Sequence, residues 1–248
     1  MSRGEPFLRG EEKRMLGDCG RSAALGLDIG GTAIKAGWVR PSGEVTAFFT
    51  FPTPIDRPQD DAIRLIARAL LDFCDGDTPL AVGVGCAGLV SSRSGIVHVS
   101  PNLPLWREAP LGPLLAQELG SPVFVLNDAN AFALAEARVG AGGGFSPVVA
   151  LTLGTGVGGA IVVDGRLAEG LHGFGGEVGH MSVSWEGPPC PCGSRGCVEV
   201  FVGRRALVDA YFSRSEWRSG VVGHDLAAGN RDAVDPKLLA AAAAAGDR

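Results

Sequence analysis

The sequence predicts an α/β protein built from two related lobes, and three observations carry that prediction. The stretch "ALGLDIGGTAIKAGWV" at 24–39 reads apolar strand, Gly turn, apolar strand, and "VVALTLGTGVGGAIVV" at 148–163 repeats the plan half a chain later. Between them, helical stripes alternate with short apolar strands, as a sheet with crossover helices requires. The 248 residues, 46% of them hydrophobic, are enough to fill a sizeable core.

The elements follow in order. Residues 1–23 show no hydrophobic periodicity and read as a disordered lead, with Met15 as an alternative start. "LGLDIGG" and "TAIKAGWV" form the first hairpin, in which Ile34, Ala36 and Trp38 alternate with Lys35, Gly37 and Val39, and "VTAFFTF" extends it into a meander. Residues 60–74 place Ile63, Ile66, Ala67, Leu70 and Leu71 on one helical stripe, and "LAVGVGCAG" then reads as a buried strand. A helix over 111–119, the strand "PVFVL" and a helix from "NDANAFALAEA" to Gly140 complete the lobe. The lobes are expected over 24–125 and 126–248, facing across a cleft, and Asp235-Pro236 starts a last helix.

Composition excludes several functions. Lys and Arg total 22 against 27 Asp and Glu, a net charge of −5, which provides no electrostatic footprint for nucleic acid. No apolar run approaches the roughly 20 residues that cross a bilayer, and no signal-peptide core precedes residue 22, so the expected location is the cytoplasm.

The two glycine turns carry the first chemistry. A dinucleotide-binding or Walker loop opens a helix, whereas Gly30-Gly31-Thr32 opens a strand. What remains is a hairpin whose backbone amides approach a phosphate without a Cβ in the way, with Asp28 able to hold Mg²⁺ through water and Thr32 able to hydrogen-bond phosphate. A plain hairpin turn explains either turn alone, and the pair together favours phosphate. Asp128 has two readings as well. It fits a simple helix N-cap, but it also follows an apolar strand at the carboxyl end where α/β sheets expose their ligands, where a carboxylate can take the proton of an attacking hydroxyl.

"CPCGSRGCVE" puts Cys190, Cys192 and Cys197 within eight residues, with His180 ten residues upstream. Three thiolates and an imidazole can make a closed tetrahedral Cys₃His zinc site of the structural kind, for which Pro189, Pro191, Gly193 and Gly196 supply the tight turns; a surface cysteine loop with His180 satisfied in the core is the plainer alternative, which three thiols this close in a reducing compartment disfavour. Cys74 and Cys86 sit in apolar elements as small buried hydrophobes, and Cys19 is isolated.

The motifs "LDIGGT", "PNLPLW", "NDANAFALAEA", "LGTGVGGAIVVDGRL", "GEVGHM" and "CPCGSRGCVE", in this order from Leu25 to Glu199, resemble the ROK family of sugar kinases and sugar-responsive repressors. The resemblance implies the actin-like ATPase (ribonuclease H-like) fold, with two lobes and a zinc-binding loop over 180–199. It implies ATP and Mg²⁺ as cofactors and transfer of the γ-phosphate to a hexose hydroxyl, with glucose first and N-acetylmannosamine, N-acetylglucosamine or fructose as alternatives. It implies Asp128 as general base, and Asn102, Asn127, Asp128, Glu177, His180 and Glu199 as sugar contacts. Gly30, Gly31, Thr32, Gly154, Thr155 and Gly156 match the phosphate turns, and His180, Cys190, Cys192 and Cys197 match the zinc ligands. His180 would use one ring nitrogen for zinc and the other for a sugar hydroxyl. Many family kinases are homodimers.

Two departures from the family pattern bear on activity. The chain reaches Arg248 without the Gly-rich strand and turn that hold the adenosine, or the closing helix, so a C-terminally truncated chain, and with it an inactive sugar-binding remnant, is the competing expectation. Val202 stands before Gly203 where the family usually has Ser. A repressor needs a winged helix, for which the 22 leading residues are too short.

Overall fold

The structure, a computed structural model, describes residues 23–171, 173–214 and 220–247. The expected disordered lead and Cys19 lie outside the described residues.

The hydrophobic alternation of the first fifty residues builds a meander. Strands β1 (Ala24–Ile29), β2 (Ala33–Val39) and β3 (Val45–Pro52) pair antiparallel, with Leu27 opposite Ala36 and Gly37 opposite Phe48. Ile34, Ala36 and Trp38 are buried as their alternation requires, while Lys35 is exposed. Helix α1 (Gln59–Cys74) buries Ile63, Ile66, Ala67 and Leu70. Leu71, expected on the same stripe, is instead 47% exposed, because the buried arc turns through Ala62 and Ala69. Two acidic residues in the first turn, Asp60 and Asp61, favour the helix start, and Asp75 ends the helix in the left-handed conformation.

The chain then enters β4 (Val82–Cys86), parallel to β1. Three short strands follow, β5 (Leu89–Ser91), β6 (Ile96–Val99) and β7 (Arg107–Ala109), forming a small antiparallel sheet of their own. Helix α2 (Leu111–Leu119) packs against α1 and leads into β8 (Val123–Asn127), parallel to β4. The main sheet has the order β3-β2-β1-β4-β8. Its core joins Leu25, Ile29 and Val82 of the strands to Ile63, Ile66, Leu70, Leu111 and Leu115 of the helices, and Trp106 is fully buried in it.

Helix α3 (Asp128–Val139) leaves β8 directly. The second strand-turn-strand unit is β9 (Val148–Leu153) and β10 (Val157–Val163), and β11 (Arg166–Leu167) pairs antiparallel with β10. After a 3₁₀ turn at Val178–His180 come α4 (Glu199–Val202), α5 (Arg204–Arg214), α6 (Val222–Leu226) and α7 (Pro236–Ala244). Asp235 caps α7 by accepting the Leu238 N–H at 2.8 Å, with Pro236 in the first turn.

The chain divides into two compact units. One runs up to Ala150 and adds Ile161–Gly176, and the other takes Leu151–Ala160 and everything from Glu177 onward, so the division falls within β9 and β10.

Candidate active site and metal centre

In the first unit the turn after β1 is built by backbone constraint. The Gly30 N–H donates to the Ala33 carbonyl at 3.2 Å, and a Cβ on Gly30 would lie 2.9 Å from that same oxygen. Thr53, just past β3, ties the turn down twice: its hydroxyl donates to the Gly30 carbonyl at 2.6 Å and its N–H to the Thr32 carbonyl at 3.1 Å. Sequence reasoning missed Thr53, whose contact spans 23 residues and leaves no local pattern. Asn102 lies against Gly31, where a Cβ would meet the Asn102 Cβ at 3.1 Å, so an expected sugar contact and an expected phosphate turn are neighbours.

Asp28 sits on β1 opposite Lys35, and the two pair at 3.6 Å with side chains 58% and 67% exposed. So wet a pair contributes only about 0–1 kcal/mol. Both line a hollow of about 790 Å³ that runs along the open face of the main sheet between Val45, Phe48 and Phe124 and the α3 residues Phe132 and Arg138, with Asp28, Gly85, Leu126 and Asp128 at the end nearest the carboxyl ends of β1, β4 and β8.

The simple capping reading of Asp128 is corrected here, because the cap is Asn127. Its Oδ1 accepts the N–H groups of Ala129 and Asn130 at 2.9 and 3.2 Å, and its Nδ2 donates to the Gly88 carbonyl at 3.1 Å. Gly88 itself, at φ +118°, has no room for a side chain against the Val99 carbonyl. Asp128 is exposed in the first turn of α3, where its Oδ1 also accepts the Ala129 N–H at 3.0 Å and the helix N-terminus favours a carboxylate. Beneath it, burial and then the Asp128 and Asp28 charges push the Cys86 thiol up to about 12, so it stays a neutral core group; burial likewise takes Cys74 to about 11.

The second unit gathers the rest. Turn 154–156 closes on itself through the Gly154 N–H to the Gly156 carbonyl at 3.0 Å, and the Arg204 N–H at the head of α5 donates to the Gly154 carbonyl at 3.0 Å. The backbone of Arg204 is a second element sequence reasoning missed. The exposed Glu177 precedes the 3₁₀ turn that carries His180, and Gly179 within it packs so closely on the Val157 carbonyl that only glycine fits.

His180, Cys190, Cys192 and Cys197 come together with all four ligand atoms within 4.8 Å of one another. The Cys190 Sγ to His180 Nδ1 and Cys192 Sγ to Cys197 Sγ distances are both 3.7 Å. Tetrahedral zinc with bonds of about 2.3 Å to sulfur and 2.0–2.1 Å to nitrogen sets its ligand atoms about 3.5–3.8 Å apart, so the donor set fits the ion in type and these two pairs fit it in spacing. The imidazole turns Nδ1 toward the thiols. Backbone bonds knit the loop, with the Cys190 N–H donating to the Ser194 carbonyl and the Val183 N–H to the Gly196 carbonyl, each at 2.8 Å. Burial raises the Cys190 thiol to about 11, while the Ser194 backbone and neighbouring thiols draw Cys192 below the ordinary value. Glu199, two residues after Cys197, reaches both features: its Oε1 lies 3.9 Å from Cys190 Sγ and its Oε2 accepts the Val157 N–H at 3.0 Å.

A mixed α/β chain with a meander, parallel strands ending at exposed carboxylates, a repeated glycine turn and a Cys₃His knot has the fold of the actin-like ATPases. Within that class the chain belongs to the ROK family, whose pattern it matches over residues 24–247. It is 42% identical over 228 residues to a glucokinase of Thermotoga maritima, covering 90% of this chain and 70% of that one. A Streptomyces coelicolor glucokinase is 40% identical over 184 residues, 74% of this chain and 57% of the relative. The crystal structure of a ROK family glucokinase from Streptomyces griseus in complex with glucose and AMPPNP superposes with a TM-score of 0.74 at 37% identity, covering 91% of this chain and 72% of that one. The chain thus spans roughly three-fifths to seven-tenths of the length of these relatives, and it is a homologue of hexokinase-type sugar kinases.

Proposed function

We propose that the protein transfers the γ-phosphoryl group of ATP to a hexose hydroxyl, with glucose as the substrate and glucose 6-phosphate as the product. The observation that carries the reading is the division of labour at the start of α3: Asn127 is the N-cap and the exposed Asp128 carboxylate spends only Oδ1, which shares the Ala129 N–H at 3.0 Å, so Oδ2 stays open beside Asp28 and Gly85. The glucokinases among the relatives supply the substrate class.

In this reading the sugar hydroxyl attacks the γ-phosphorus as the bond to the bridging oxygen breaks and ADP leaves, its proton passing to Asp128, a general-base contribution of roughly 10²–10⁴ in rate. The amides of Gly30, Gly31 and Gly156 and the hydroxyls of Thr32 and Thr155, with the backbone of Gly154, meet the phosphates. Mg²⁺, when bound, neutralises charge on the transferring group, and Asp28 is the carboxylate that would hold it through water. Asn102, Asn127, Glu177, His180 and Glu199 recognise the sugar hydroxyls. Charged and amide acceptors discriminate strongly, because a substrate lacking the matching hydroxyl leaves them unpaired. His180 Nδ1 and the three cysteines would hold zinc, which would fix the imidazole and leave Nε2 available to a hydroxyl. We place the protein in the cytoplasm, where its thiols stay reduced, with a hexose and ATP as its partners and a homodimer as its assembly.

A coupled assay with ATP, Mg²⁺ and a panel of glucose, N-acetylmannosamine, N-acetylglucosamine and fructose tests this directly. Turnover on glucose above the other three is the expected result. No turnover on any sugar by zinc-loaded, folded protein overturns the kinase reading, and sugar binding in calorimetry alongside that failure would point to a binding protein instead.

A further inference from the structure

We propose that Glu199 is a positioning residue through which the Cys₃His cluster sets the geometry of the second glycine turn, so that zinc occupancy governs phosphate binding and not only the sugar contacts. The ligand assignment rests on the kinase reading. The contact itself does not.

Glu199 is tethered to the metal knot on one side. The tether is the backbone: Glu199 lies two residues past Cys197, whose carbonyl accepts the Val200 N–H at 3.1 Å, while the 3.9 Å approach of Oε1 to Cys190 Sγ places the carboxylate against the knot without bonding a zinc-bound thiolate. On the other side its Oε2 accepts the N–H of Val157, the residue that ends the turn and begins β10. Val157 is 3% exposed, so that amide has little access to water as an alternative partner. A charged acceptor makes the bond a strong one.

Gly156 reports the same closeness. A Cβ there would land in the Glu199 carboxylate, and its three nearest atoms all belong to Glu199. No positive φ is required at this position, so the absence of a side chain answers to Glu199 and not to backbone strain. The junction of α4 and α5 supports the turn from beneath: Arg204 donates to the Gly154 carbonyl, and a Cβ on Gly203 would come within 3.3 Å of the Thr155 carbonyl. The segment 197–204 is therefore a strut from a zinc ligand to the turn. A turn held at both ends before the ligand arrives loses less entropy on binding, which is how an ion that touches no phosphate raises affinity for one.

The test uses the zinc-loaded full chain in the absence of sugar. Hydrogen exchange at the Val157 amide is expected to quicken by about tenfold or more in Glu199→Ala and after chelation of zinc, and to stay near wild type in Glu199→Gln, whose amide oxygen still accepts the bond. ATP affinity with Mg²⁺, read by calorimetry, is expected to fall in Gly156→Ala and in Glu199→Ala. The double variant is expected to be no weaker than Glu199→Ala alone, because the new methyl occupies volume the carboxylate has vacated. Unchanged Val157 exchange in Glu199→Ala, or additive losses in the double variant, overturns the proposal. A wild-type chain that binds no ATP counts against the kinase reading, and the exchange measurement then decides the positioning role by itself.

Discussion

Asn127 and Asp128 are adjacent residues of similar shape with opposite fates. The amide is mostly taken up by the protein, its Oδ1 capping two N–H groups of α3 and one Nδ2 hydrogen reaching Gly88, while the exposed carboxylate commits only Oδ1, to the Ala129 N–H. The motif "NDAN" was legible as a helix start, but which member caps it was not, since Asn and Asp are almost equally good at that position and only the strand direction decides. Asn127→Ala is expected to lower stability by about 1 kcal/mol, within the range of roughly 0.5–2 typical of lost caps, measured as a shift of the urea midpoint at constant slope. A larger loss would mean that the Gly88 contact supports the fold of the strand ends as well. The cysteines were the most legible residues of all, because three thiols and a histidine at this spacing have few other chemical uses. Thr53 and the backbone of Arg204 were illegible, since they act on turns far away in sequence.

Elements whose periodicity is long and whose burial is one-sided could be read closely. The meander, α1, α2 and α3 fall where alternation and helical stripes put them, and β4 and β8 appear as the continuous apolar runs that a parallel sheet demands. The three-strand sheet of β5, β6 and β7 could not be read. Its strands have three or four residues each, too short for a period; Gly95 at positive φ sets the turn between β5 and β6, and Gly88, also at positive φ, leads from β4 into β5. The short helices α4 and α6 escaped for the same reason. Leu71 shows the limit within a correct element: a stripe predicts a face, and the packing partner decides where that face ends. Leu70, fully buried on that face, provides the test. Leu70→Ala is expected to cost about 2–5 kcal/mol in denaturant unfolding, whereas Leu71→Ala is expected to cost under about 1 kcal/mol. Equal costs would contradict the observed orientation of α1.

At the scale of the whole molecule, the two units are stabilised by different means. The first has a contiguous apolar core joining the main sheet to α1 and α2. In the second the buried apolar side chains among the described residues are few and mostly small, among them Val157, Ala160, Ala227, Val234 and Ala242, and two of the zinc-site cysteines are themselves buried. On the proposed zinc reading, a unit with so little core would draw part of its folding energy from the ion held by His180, Cys190, Cys192 and Cys197. Cys192→Ser, or chelation of wild type, is therefore expected to lose zinc and hexose affinity together and to speed amide exchange over 177–204 while β1, β2 and β4 stay protected. Sugar affinity retained in zinc-free protein would contradict this. The repeated glycine turn was visible in the sequence as an echo, yet the two copies are held differently, one by Thr53 and the other by Glu199 and Arg204. The central claim remains the exposed carboxylate at the start of α3. Its most direct measurement is kcat with ATP, Mg²⁺ and glucose for wild type and Asp128→Asn, alongside glucose binding by calorimetry. A fall in kcat of about 10²-fold or more with glucose binding largely kept is the predicted result, and wild-type turnover in Asp128→Asn would contradict the account.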